Sequence, residues 1–106
     1  MRVYVAGPYT KGDVVINVRK AIEAADQLAA LGHYPFIPHL SHFWHLVAPH
    51  KYLFWIEQDL AWLNKCDALL RLPGESKGAD LEVATARKLG LKVYTSIVDI
   101  PRPKND

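Results

Sequence analysis

The run Gly74-Glu75-Ser76-Lys77-Gly78-Ala79-Asp80-Leu81-Glu82 gathers residue types that suit anion binding and carboxylate chemistry. Its two glycines let the backbone turn tightly and leave amides free. Ser76 offers a hydroxyl at or just before a helix start, and the first turn of a helix favours an anion. Glu82 is expected within the first turn or so of that helix, where the dipole favours its ionised form. An ionised carboxylate beside an anion-binding turn suits a nucleophile working next to a phosphate or a sugar hydroxyl. The same residues also have a plainer reading, in which Ser76 caps the helix and Glu82 or Asp80 complements its dipole.

A second carboxylate, Asp59, stands among Trp55, Ile56, Leu60, Trp62 and Leu63. It either marks an exposed helix face or does chemistry against an aromatic wall. Asp67, eight residues on, reads as a helix-to-strand turn residue. All five histidines and eight of the eleven aromatic residues fall between His33 and Trp62. His39, His42 and His45 are spaced by three, so one helical turn aligns them. Imidazole is a good zinc ligand, but no His-Glu-x-x-His is present; no metal and no cofactor are expected. A wall of aromatic and imidazole rings would suit a flat heterocycle, because bases stack on aromatic faces. The other reading of the wall is a partly buried dimer surface.

These residues need elements to hold them. Val3-Tyr4-Val5-Ala6, closed by Gly7-Pro8, reads as a buried strand ending in a turn. A helix follows, with Asp13 as N-cap, Gly32 as stop, and Val18, Ala21, Ile22, Ala25, Leu28 and Ala29 at helical spacing. His33–Ile37 reads as a second strand. Residues 38–50 lack clean periodicity and read as a long loop with room for one helical turn. A second helix is expected from after Pro49 to about Lys65, with Leu53, Ile56, Leu60 and Leu63 facing the core. Asp67–Leu72 is a third strand. A third helix is expected from near Ala79 to Gly90, and Leu91–Ile97 is a fourth strand.

The order β-α-β-α-β-α-β implies a parallel sheet with right-handed crossovers. A small doubly wound α/β fold of flavodoxin-like or Rossmann-like type follows, with four strands in the order 2-1-3-4 and helices on both faces. Such folds bind ligands beyond the carboxyl ends of the strands, between strands 1 and 3. That selects residues 7–13 and 73–78 in advance. Neither stretch is a dinucleotide fingerprint or a P-loop, which disfavours a dehydrogenase and an ATPase.

Composition narrows the field further. The 106 residues are 50% apolar and 23% charged, as in an ordinary globular domain. One domain over residues 1–100 is expected, with a polar tail at 101–106 that frays. A net charge of +2 does not argue for nucleic-acid polymers or membranes as partners. The apolar run at the N-terminus is too short for a signal peptide. Cys66 is the lone cysteine, so there is no internal disulfide. A cytoplasmic location is expected.

Three segments together resemble the nucleoside 2-deoxyribosyltransferase superfamily, which includes the 2′-deoxynucleoside 5′-monophosphate N-hydrolases. They are Val3-Tyr4-Val5-Ala6-Gly7-Pro8-Tyr9; Asp59-Leu60-Ala61-Trp62-Leu63 with Cys66-Asp67-Ala68; and Ser76-x-Gly78-x-x-x-Glu82 with Ala86 and Gly90. Pro38-His39-Leu40-Ser41-His42 is similar to a segment of small superfamily members of the DUF4406 kind. The resemblance implies that Glu82 is a nucleophile attacking the anomeric carbon, and that Asp59 works at the nucleobase. It also places Tyr9 in a loop beside the sugar and Glu82. These three are the expected catalytic residues. Gly7, Pro8, Ser76, Lys77 and Gly78 are expected to bind substrate, with His39, His42 and Trp55 at the ring wall. The resemblance further implies a homodimer or higher homo-oligomer whose subunits complete each other's sites.

Two departures shape the expectation. The transferases carry Asp six residues before the nucleophile, where it holds a 5′-hydroxyl; here the residue is Ser76, as in the nucleotide hydrolases. A hydroxyl, free amides and Lys77 attract a phosphate that a carboxylate would repel. The transferases also bring an Asn from a neighbour's C-terminal part, for which Asn105 is the sole candidate. The expected function is therefore a retaining N-glycosidase acting on small molecules, the (deoxy)ribonucleoside 5′-monophosphates. A nucleoside 2-deoxyribosyltransferase and a nucleotide-binding module without turnover are the alternatives.

Overall fold

Val3, Tyr4, Val5 and Ala6 are all fully buried, as in a strand covered on both faces. The computed structural model describes residues 1–103 and places this run in β1 (Arg2–Ala6). After β1 come α1 (Val14–Ala30), β2 (Tyr34–Phe36), a 3₁₀ turn (Pro38–Leu40), α2 (Ser41–Val47), α3 (Tyr52–Leu63), β3 (Ala68–Arg71), α4 (Lys77–Lys88) and β4 (Lys92–Tyr94). A second 3₁₀ turn covers Ile97–Asp99. The four strands form one parallel sheet in the order β2-β1-β3-β4, as expected. Tyr4 lies opposite Phe36 of β2 and Leu69 of β3.

Alternation along β1 divides the core in two. Val3 and Val5 pack with Ala21, Ala24, Ala25 and Leu28 of α1. Tyr4 and Ala6 turn to the other face, with Leu63, Ala79 and Ala86 of α3 and α4. Tyr4 therefore shares a layer with the inner stripe of α4, which consists of Ala79, Glu82 and Ala86.

Several boundaries depart from expectation for physical reasons. Asp13 does cap α1, accepting from the Ile16 amide at 3.1 Å. However, Ala24 joins the buried face, while Ile22 and Ala29 are exposed. Residues 38–47 form the 3₁₀ turn and α2, more helix than the single turn expected, and residues 48–50 are irregular. None of α2's residues is buried, so no clean apolar period could have shown it. Leu53 is exposed rather than core-facing, whereas Leu63 is fully buried. β2 and β4 are shorter than their apolar runs. α4 begins at Lys77, two residues before the expected start, because Ser76 is its N-cap. Asp67 has the structural role expected: it accepts from the Arg2 amide at 2.8 Å. Ile100 belongs to the α1-side core. Of the expected tail, residues 104–106, including Asn105, lie outside the described residues. Among the described residues, no helix is long and apolar enough to cross a membrane.

Candidate active site

A cavity of about 540 Å³ lies beyond the carboxyl ends of β1 and β3. Gly7, Tyr9 and Lys11 line one side; Ser76, Lys77, Gly78 and Glu82 line another. His39, His45, His50, Tyr52, Trp55 and Asp59 close it from the α2–α3 side. The two loops meet through glycine. Gly74 has φ +116°, and a Cβ there would come within 2.8 Å of Pro8 Cγ, so no other residue allows this approach.

Glu82 is the most buried acid of the site, 8% exposed. It lies in the second turn of α4, since the helix starts at Lys77. The helix dipole falls off within the first turn, so the expected stabilisation of its charge gives way to burial. Burial pushes its carboxyl up to about 7, with Asp59 adding to the rise. The Tyr4 hydroxyl donates to Glu82 Oε2 and offsets part of this, as does the Arg71 guanidinium. Tyr4 itself is held protonated, its phenol pushed far above its ordinary range by burial and then by the two carboxylates. It is a permanent donor. Arg71 is fixed in turn by Asp80 of α4 at 3.0 Å.

Asp59 faces the same cavity from α3, and burial raises its carboxyl to about 7. With both carboxyls raised to about 7, one can stand ionised while the other is protonated near neutrality. Such a pair offers one base or nucleophile and one acid at once.

The start of α4 presents free donors to the cavity. Ser76 Oγ accepts from the Ala79 amide at 3.1 Å, which leaves its own proton free to donate. The Lys77 and Gly78 amides have no helical carbonyl to reach. Glu75 is paired with Lys11 at 3.0 Å, both exposed, so its charge is offset at the rim.

Of the expected residues, Gly7, Tyr9, His39, Trp55, Asp59, Ser76, Lys77, Gly78 and Glu82 share this cavity. Pro8 and His42 do not line it. Both act behind the wall: the Pro8 carbonyl accepts from His39 Nε2 at 2.9 Å, and His42 Nδ1 meets the Tyr9 hydroxyl at 2.6 Å. Asn17 of α1 fixes the same loop by donating to the Tyr9 and Lys11 carbonyls. The hydroxyl that reaches Glu82 is thus Tyr4's, while Tyr9's is engaged with His42. His39, His42 and His45 each have a different partner, and no group of three metal-ligating side chains occurs among the described residues.

Sequence reasoning missed Tyr4 and Arg71, and it noticed His45 for its spacing without placing it among the substrate-binding residues. For Tyr4 a signal existed, since period 2 puts it on the face opposite Val3 and Val5. A glutamate at a core position of α4, spaced as Ala79-x-x-Glu82-x-x-x-Ala86, was the matching signal.

The fold has a known counterpart. The chain belongs to the family described as Domain of unknown function (DUF4406), whose model matches residues 1–95. Among solved structures, it is similar to a 2-deoxyribosyltransferase from the psychrotolerant bacterium Bacillus psychrosaccharolyticus, with a TM-score of 0.67. The two share 19% identity over 93% of this chain and 77% of that one, a likeness of fold. No curated protein matches the sequence.

Proposed function

We propose that the protein is a retaining N-glycosidase acting on (deoxy)ribonucleoside 5′-monophosphates. The observation that carries this reading is the pairing of Glu82 and Asp59 across one cavity, both with carboxyls raised to about 7. The ionised Glu82 carboxylate attacks the anomeric carbon as the bond to the base breaks. The bonding electrons leave with the base, and Asp59 supplies the proton to it. Water then attacks the glycosyl ester, giving its proton to the Asp59 carboxylate and releasing Glu82. If a second base replaces water, the same chemistry becomes base exchange. Chromatography of a nucleotide panel, with and without an added free base, distinguishes release from exchange.

The Ser76 turn supports the monophosphate as substrate, and Ser76→Asp tests it. An aspartate there would place a carboxylate where the 5′-phosphate is read, and like charges at close range repel. Turnover of monophosphates should fall at least about tenfold, roughly 1.4 kcal/mol at the transition state. Unphosphorylated nucleosides should be spared or improved, because Asp accepts from a 5′-hydroxyl. Equal loss on both classes, or a wild-type preference for nucleosides, contradicts the phosphate assignment.

A homodimer or larger assembly fits the same reading. Leu40, Phe43, Trp44, Leu46, Val47 and Leu53 are exposed around the cavity's ring wall. Apolar side chains exposed in such number on two neighbouring helices suit an interface between copies. Light scattering should give at least a dimer; a fully active monomer would rule it out.

A further inference from the structure

His45 was singled out only for its spacing, yet its surroundings define its chemistry. Its Nδ1 accepts from Trp55 Nε1 at 2.8 Å and from the His50 amide at 3.3 Å. An indole N–H only donates, and so does a backbone amide. Nδ1 is therefore bare, and the neutral ring carries its proton on Nε2. The lock is mechanically supported. Trp55 sits edge-on to His45 with centroids 5.5 Å apart, and His50 stacks on Phe54 at 3.8 Å. Trp44 packs edge-on against Trp55 and Phe54, tying α2 to α3. His45 lines the cavity, and Nε2 has no hydrogen-bond partner among the described residues.

We propose that His45 is a specificity-determining residue whose Nε2–H donates to the exocyclic oxygen of a keto base, selecting keto over amino nucleobases. The inference rests on the nucleotide reading above. On that reading Glu82 and Asp59 flank the glycosidic bond, which leaves His45, a separate donor in the wall of the same cavity, for the base's own edge. A ring locked as a donor satisfies a keto oxygen but faces an amino group donor-to-donor. A site built to hydrogen-bond one group discriminates against an analogue that leaves its polar atom unpaired.

The test measures binding by calorimetry in Glu82→Gln, using the 2′-deoxyribonucleoside 5′-monophosphates of hypoxanthine, uracil, adenine and cytosine. Each keto base should bind about tenfold tighter than its amino counterpart, about 1.4 kcal/mol. Adding His45→Phe should weaken the keto ligands by a similar factor, leave the amino ligands unchanged, and bring the ratio near one. Adding His45→Gln, whose amide can either donate or accept, should retain keto binding and improve amino binding. Equal affinities before the His45 change, or a ratio that His45→Phe does not move, overturns the assignment while leaving the nucleotide reading intact. Failure of all four ligands to bind overturns both. Imidazole nitrogen NMR on the unaltered chain supplies a readout independent of turnover and of how the variants fold. It should show the proton on Nε2, with the keto ligands shifting that nitrogen; a proton on Nδ1 overturns the proposal.

Discussion

Glu82→Gln is expected to bind nucleotide and to release base at least about a thousandfold more slowly, as for a lost covalent nucleophile. The same substitution should make the protein more stable at pH 8. Glu82 carries a carboxyl raised from 4.5 to about 7 by burial. Between those values the folded state holds a proton that the unfolded state has lost, so stability falls as pH rises through this window and levels off above it. Glutamine is neutral at every pH and still accepts from Tyr4. Relief of the charge's cost is worth about 3 kcal/mol at pH 8, on the order of 10 °C in Tm, and nothing near pH 4. Paired thermal melts at the two pH values, beside a base-release assay, check both halves. A variant that is inactive but equally destabilised at both pH values would reduce Glu82 to a structural residue. Near-wild-type turnover would remove it from the mechanism.

Asp59→Asn should have the second largest effect, and an uneven one. If Asp59 protonates the departing base, its loss costs about 10²–10⁴-fold on substrates with poor leaving groups. A substrate releasing nitrophenol needs little protonation and should be largely spared. The pH profile gives a second reading of the same role. Wild type needs one of the pair ionised and the other protonated, so its kcat/KM should peak near pH 7 and fall on either side. In Asp59→Asn the alkaline fall should vanish while the acid one, which reports Glu82, persists. Equal loss on both leaving groups with the profile unchanged would assign Asp59 a packing role.

The fold was legible because its signals are local. The apolar run of β1, the Asp13 cap and the glycine stops each act within a few residues, and the alternation of elements then permits few topologies. α2 was not legible, since it buries nothing and its rings meet those of α3 rather than the core. Glu82 and Asp59 could be picked out by residue type and resemblance. Their protonation could not, because burial by distant segments sets it. The dipole expected to ionise Glu82 was a local argument, and a start at Lys77 instead of Ala79 removed it. Tyr4 illustrates the same limit: the strand pattern gave its face, but only the packed helix gave its partner.

That partnership has a consequence for how the molecule assembles. Tyr4 and Glu82 are separated by 78 positions, and β1 lies between β2 and β3. β1, α1 and β2 can associate through short loops, whereas the Tyr4–Glu82 contact closes a far longer stretch of chain and carries a larger entropy cost. Until α4 docks, the Glu82 carboxyl stays hydrated with an ordinary acidity. The raised pKa of Glu82 is therefore acquired only when α4 docks against β1.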